Sequence, residues 1–130
     1  MKIYVADTHA LIFYLSDPAR LGSRARNAFV EAVRGEAEIV LPVIIFAELI
    51  FAVERGRVRL DVASVVQQVR DTSFFQVASL TLEHLLIIRT MTGIRELHDR
   101  IITAEALARQ GVLITRDATV RKSGIVPTVW

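Results

Sequence analysis

Ile3-Tyr4-Val5-Ala6-Asp7-Thr8-His9-Ala10-Leu11-Ile12-Phe13-Tyr14-Leu15 passes from an apolar run of strand length, through a single acid, into an apolar run that suits a helix. The spacing predicts a strand over Ile3 to Ala6 and a helix over Thr8 to Leu15, with Asp7 at the junction. The same order recurs near the end, where Val112 to Thr115 reads as a strand and Asp117 follows after one residue. Strands that alternate with helices imply a parallel sheet covered on both faces, an α/β fold. Ligands of such open sheets bind beyond the carboxyl ends of the strands. Asp7 and Asp117 both fall on that edge.

The intervening chain keeps the alternation. Leu21 to Arg34 reads as a helix capped at Gly22-Ser23, and Glu38 to Leu41 as a strand ended by Pro42. A helix through Glu48 runs to about Arg55 and stops at Gly56. Asp61 caps the next helix, whose Val62, Val65, Val66 and Val69 lie at helical spacing. Phe74 to Val77 is a strand, and Thr81 begins a helix over Leu82 to Met91 that Gly93 breaks. Asp99 opens a helix from Arg100 to Arg109, closed by Gly111, and Ile125 to Val129 is a last short strand. No repeat, low-complexity tract or linker divides the 130 residues, so residues 1–130 are read as a single domain.

Composition narrows the chemistry. The chain has no cysteine, which excludes disulfides, thiolate metal sites and cysteine nucleophiles. Asp7 and His9 interrupt what a signal peptide would keep apolar. The most hydrophobic segment, Ile39 to Val53, contains Pro42 and Glu48 and is shorter than the ~20 residues of a membrane span. A soluble, cytoplasmic protein with no membrane contact is expected. Net charge is +2, and fourteen of the sixteen basic residues are Arg, the side chain best shaped for forked contacts to phosphate. Arg20, Arg24 and Arg26 form one loose group and Arg55, Arg57 and Arg59 another, each read by itself as a solvated surface.

Four acids then stand out: Asp7, Glu48, Asp99 and Asp117. Glu48 is the only charged residue in Val43-Ile-Ile-Phe-Ala-Glu-Leu-Ile-Phe-Ala-Val53, a run that reads as a buried helix. A bare carboxylate there is costly unless an arginine or a metal ion meets it. Asp7 and Asp117 each have an ordinary alternative as helix caps, and Asp99 as a first-turn acid favoured by the helix dipole. Gathered at one edge, however, like charges resist joint ionisation and call for a cation. Oxygen donors without cysteine point to Mg²⁺ or Mn²⁺. Thr8, Thr115 and Thr103 are hydroxyls placed to bond the acids or a water, with ordinary turn or helix roles as the alternative. Arg100 and Arg116 neighbour the acids and could reach a phosphate. His9, His84 and His98 form no recognisable metal triad, and Glu105 lies well round the helix from Asp99.

Val5-Ala-Asp7-Thr-His-Ala-Leu11, Phe46-Ala-Glu48-Leu49, His98-Asp99-Arg-Ile-Ile-Thr-Ala104 and Leu113-Ile-Thr-Arg-Asp117 resemble, in order and spacing, the acidic motifs of PIN-domain ribonucleases. Val126-Pro-Thr-Val-Trp130 is similar to the last strand of many members. Most small single-domain proteins of this kind are the toxin half of VapBC toxin–antitoxin modules. The resemblance implies a three-layer α/β/α fold with a central, mainly parallel five-stranded sheet. It implies Mg²⁺- or Mn²⁺-dependent endonucleolytic cleavage of RNA, leaving 5′-phosphate and 3′-hydroxyl ends. Asp7, Glu48 and Asp99 would be the core metal ligands, with Asp117 as the fourth acid and Thr115 as a neighbouring hydroxyl. A homodimer, and a VapB-type antitoxin whose C-terminal tail fills the groove, are also implied.

Other readings meet the residues less well. A phospho-accepting receiver domain would want paired acids after the first strand and a lysine near the last ones, yet Lys2 and Lys122 are the only lysines. A haloacid-dehalogenase-type phosphatase would want an acid where His9 stands. No glycine-rich nucleotide motif is present. A non-catalytic module that binds RNA or protein on the same fold is the rival from a different class.

Overall fold

Consecutive apolar residues in the first two strands are buried on both sides, as a parallel sheet between helix layers requires. The computed structural model describes residues 1–130. Its five strands are β1 (Lys2–Ala6), β2 (Ala37–Pro42), β3 (Phe75–Ala78), β4 (Val112–Ile114) and β5 (Thr128–Val129). They lie in the order β3-β2-β1-β4-β5, and every pairing is parallel. The helices are α1 (Thr8–Ser16), α2 (Ser23–Val33), α3 (Ile44–Glu54), α4 (Val62–Asp71), α5 (Leu82–Ile88), α6 (Leu97–Ala108) and α7 (Ala118–Ser123), with one 3₁₀ turn at Pro18–Arg20. The result is the three-layer α/β/α arrangement expected from the alternation.

The direction in which successive strands are added to the sheet reverses at β1. The chain lays β2 and β3 on one side of it and β4 and β5 on the other. The crevice beyond the carboxyl ends of β1 and β4 is therefore the topological switch point, where ligands of open sheets sit. Val5, Ala6, Ile39, Val40, Leu41 and Ile114 are fully buried beneath it. Full burial of a large aliphatic side chain stabilises by roughly 1.5–3 kcal/mol, so the floor of the crevice is also the firmest part of the fold.

Several elements differ from the sequence expectations. α3 is apolar nearly all round, yet it buries only Ile45 and Leu49. Val43, Ile50 and Phe51 are 45%, 40% and 57% exposed, so the helix is a wall of the molecule and not a buried one. α5 ends at Ile88, short of Met91, although Met91 and Ile94 are themselves buried in the loop that follows. α6 starts at Leu97, which puts Asp99 within its first turn instead of at its opening. The expected Leu21–Arg34 helix is present as the slightly shorter α2, with an unexpected 3₁₀ turn before it at Pro18–Arg20, and β5 is only two residues long.

Gly22, at the start of α2, is required by a close approach. A Cβ there would stand 2.4 Å from the carbonyl carbon of Trp130. Trp130 in turn packs edge-on to Phe13 of α1, with ring centroids 6.1 Å apart. Gly22→Ala should therefore push Trp130 off Phe13 and lower stability by about 1–3 kcal/mol. Urea unfolding followed by emission of the single tryptophan tests this: a lower midpoint with red-shifted native emission is expected, and an unchanged midpoint and spectrum would contradict it.

Candidate active site at the carboxyl edge of the sheet

Each of the four acids reaches the edge by a local device. Asp7 leaves β1 with its amide donating to the Ile114 carbonyl at 3.2 Å, which ties the ends of β1 and β4 together. Its Oδ1 accepts the Ala10 amide of α1 at 2.8 Å. Asp117 leaves β4 in the same way: its Oδ1 accepts the Val120 amide of α7 at 2.9 Å, and its own amide donates to Thr115 Oγ1 at 3.1 Å. Both acids are thus helix caps, and in each the cap engages Oδ1. The capping role and a role in the crevice are compatible.

Glu48 stands on α3 with its Oε1 accepting the Thr8 hydroxyl at 2.8 Å, a bond across forty residues of sequence. Its Oε2 lies 3.9 Å from His98 Nδ1. No arginine meets it; the hydroxyl and the imidazole are its partners. Asp99 comes from the first turn of α6, and its main-chain carbonyl accepts the hydroxyl of the fully buried Thr103 at 2.6 Å. Thr103 is thereby bonded to the backbone of α6 rather than to an acid side chain. Thr115, also buried, holds its hydroxyl near Asp7 as well as bonding Asp117.

The electrostatics show that the acids feel one another. Burial pushes the Asp99 carboxyl up to about 6, and the charges of Asp117, Glu48, Asp7 and Glu96 add to the rise. Burial also raises Asp7, against the Thr115 hydroxyl, the Ala10 amide and His9, which pull it down; the Glu48 charge raises it further. All four acids therefore share one electrostatic neighbourhood, with Asp99 at its centre. No three Asp, Glu or His side chains are gathered closely enough to form a ready-made ion cage. The donor set still suits a hard divalent cation: carboxylate oxygens only, no sulfur, and a net repulsion that a cation would relieve.

A cavity of about 550 Å³ opens beside the acids. Of the four, Glu48 lines it, together with Thr8, His9 and His98. It is also lined by Phe13, Phe51 and a group of arginines that includes Arg20, Arg55 and Arg116. Sequence reading singled out Arg116 but treated Arg20 and Arg55 as surface, and it missed Phe13 and Phe51. Only the fold brings these residues to one cavity. Arg100 is placed elsewhere: its guanidinium donates to the carbonyls of Ile94 and, at 3.3 Å, Ile88, and so braces the loop between α5 and α6. Glu105 is buried and bound by Arg109 and by His84 Nε2 at 2.9 Å, which joins α5 to α6 away from the acids.

The repulsion at Asp99 has a sign that can be measured. Its carboxyl keeps a proton to about pH 6 in the fold but loses it near 3.8 otherwise, so folding takes up a proton between those values. Metal-free stability should then fall as pH rises from about 4 to about 6. Asp99→Asn removes the charge. In EDTA at pH 7.5 it should be more stable than the parent by about 1–2 kcal/mol after solvent screening, with the gain vanishing below about pH 4. Urea unfolding at several pH values checks this; equal or lower stability at pH 7.5 would contradict it.

The PIN domain family model matches residues 4–124. No curated protein matches the chain by sequence. Among solved structures, the fold is similar to a chain in the crystal structure of VapBC2 from Rickettsia felis bound to a DNA fragment from their promoter. That likeness has 15% identity and a TM-score of 0.72, over 98% of this chain and 97% of that one. It is also similar to a chain of a toxin-antitoxin complex from Klebsiella pneumoniae, at 19% identity and a TM-score of 0.64, over 98% of this chain and 96% of that one. Identities this low speak for the fold alone. The family model covers nearly the whole length and all four acids, and the chain belongs to the PIN domain family.

Proposed function

We propose that the chain is a metal-dependent endoribonuclease, the toxin of a VapBC-type toxin–antitoxin pair. The observation that supports this reading most is the placement of Asp7 and Asp117 at the ends of the adjacent strands β1 and β4, with Glu48 bonded to Thr8, the neighbour of Asp7; the raised Asp99 carboxyl accords with it. Asp7, Asp99 and Asp117 with Glu48 would hold Mg²⁺ or Mn²⁺, which supplies positive charge to the scissile phosphate and makes a water more acidic at neutral pH.

The protein's own residues do the rest. The Thr8 hydroxyl fixes Oε1 of Glu48, and Oε2, which faces His98 at 3.9 Å, would accept a proton from the attacking water. The water oxygen bonds to phosphorus, the bond to the 3′-oxygen breaks, and the departing oxygen takes a proton from solvent. This leaves 5′-phosphate and 3′-hydroxyl ends. The caps at Ala10 and Val120 hold Asp7 and Asp117 in place, so little reorganisation is needed when substrate arrives.

Partners follow from the same reading. The antitoxin would be a VapB-type protein whose C-terminal tail occupies the groove; the similar structures named above, of VapBC2 and of a toxin-antitoxin complex, support this. A homodimer is proposed as well, supported by the 75% and 57% exposure of Leu82 and Leu86 on α5 and the 56% exposure of Leu97 beside them on α6. No helix is long and apolar enough to cross a membrane, and we place the protein in the cytoplasm.

The test is cleavage of a mixed-sequence RNA by purified protein freed of any antitoxin, with Mg²⁺, Mn²⁺ or EDTA. Cleavage is expected with either metal, none in EDTA, and a loss of at least about 100-fold in Asp7→Asn. Full cleavage by Asp7→Asn would refute the site. No cleavage with any metal would turn the reading toward a binding module.

A further inference from the structure

The arginines of the cavity are arranged more specifically than a basic surface needs. Arg20, at the end of the 3₁₀ turn, and Arg116, between β4 and α7, both pack on the ring of Phe13. Their guanidinium carbons lie 4.3 and 5.0 Å from its centroid. Phe13 is itself 3% exposed and wedged against Trp130, so it is a fixed platform. Neither guanidinium has an acid within ion-pair distance. Two cations held on one ring with no counter-charge are a site for an anion, and arginine's planar fork suits a phosphate in particular. On the α3 wall of the same cavity, Phe51 is 57% exposed, with the Arg55 guanidinium carbon 5.7 Å from its ring centroid. An exposed ring with a cation beside it is the kind of surface on which an unpaired base stacks.

We propose that Arg20 and Arg116, mounted on Phe13, clamp a backbone phosphate of single-stranded RNA next to the one at the carboxylates, while a base of the same strand stacks on Phe51. The assignment rests on the nuclease reading for the identity of the strand. It adds to that reading the path the strand takes from the acids. A single strand is required because a paired base offers no free face to Phe51. The cavity's lining fits such a strand: Glu48 is its one acid, and Arg20, Arg55, Arg57, Arg59 and Arg116 all line it.

Binding of a fluorescein-labelled single-stranded RNA, followed by anisotropy in EDTA over a range of KCl, tests the clamp without any cleavage. Arg20→Ala and Arg116→Ala should each weaken binding and make the slope of log affinity against log salt shallower by about 0.7, the value for one single-strand phosphate contact. Arg20→Lys should keep the slope. Phe51→Ala should weaken binding roughly 5- to 100-fold with the slope unchanged, and Phe51→Trp should restore it. All of these positions are exposed, and thermal melts confirm that the variants fold. Unchanged slopes in both arginine variants, parent-like binding by Phe51→Ala, or no binding by the parent would each overturn the proposal. Cleavage assays on the same proteins separate the two readings. Slopes that change as expected in a protein that never cleaves would sink the nuclease and leave the clamp, and cleavage with unchanged slopes would do the reverse.

Discussion

Carboxylates brought close together in a partly buried crevice repel one another, and this chain's fold brings four of them to one edge. The parallel sheet is what forces the meeting. Asp7 and Asp117 follow the adjacent strands β1 and β4, whose ends are joined by the Asp7 amide on the Ile114 carbonyl. Glu48 and Asp99 come from helices that pass beside that edge. The cost is visible at Asp99, whose carboxyl is pushed to about 6 by burial and by its acidic neighbours.

The rest of the molecule offsets that cost. Buried side chains of β1 and β2 form a rigid floor, and Thr8, Thr115 and two helix amides each bond an acid or its neighbour. Two acids serve as caps for α1 and α7, so part of what ionisation costs is recovered at the helix ends. The cavity beside the acids is lined by five arginines, Arg20, Arg55, Arg57, Arg59 and Arg116, against one acid, Glu48, a balance that suits an anion.

Much of this was legible in the sequence, for identifiable reasons. The strands are short apolar runs bounded by acids, glycine or proline, so the alternation and the edge position of Asp7 and Asp117 could be read directly. An apolar residue at nearly every position of α3 suggests burial all round, whereas only Ile45 and Leu49 are fully buried and Ile44, Phe46 and Val53 partly so against the core. Its exposed Phe51 has a place in the cavity that periodicity cannot see. The helix expected from Arg100 begins three residues earlier, at Leu97, because Glu96 and Leu97 give no capping signal in the sequence. Arg100 stood next to an acid in sequence, but the turn of α6 carries its guanidinium to the Ile88 and Ile94 carbonyls. The Arg20–Phe13–Arg116 stack joins three separate elements, and no local pattern could announce it.

The most direct test of the central claim, that the four acids share a divalent cation, is an anomalous difference map from a crystal grown with Mn²⁺ and recorded at the manganese edge. The account predicts a peak among the carboxylates of Asp7, Glu48, Asp99 and Asp117. A map with no peak there, or with manganese bound only elsewhere on the protein, would contradict it.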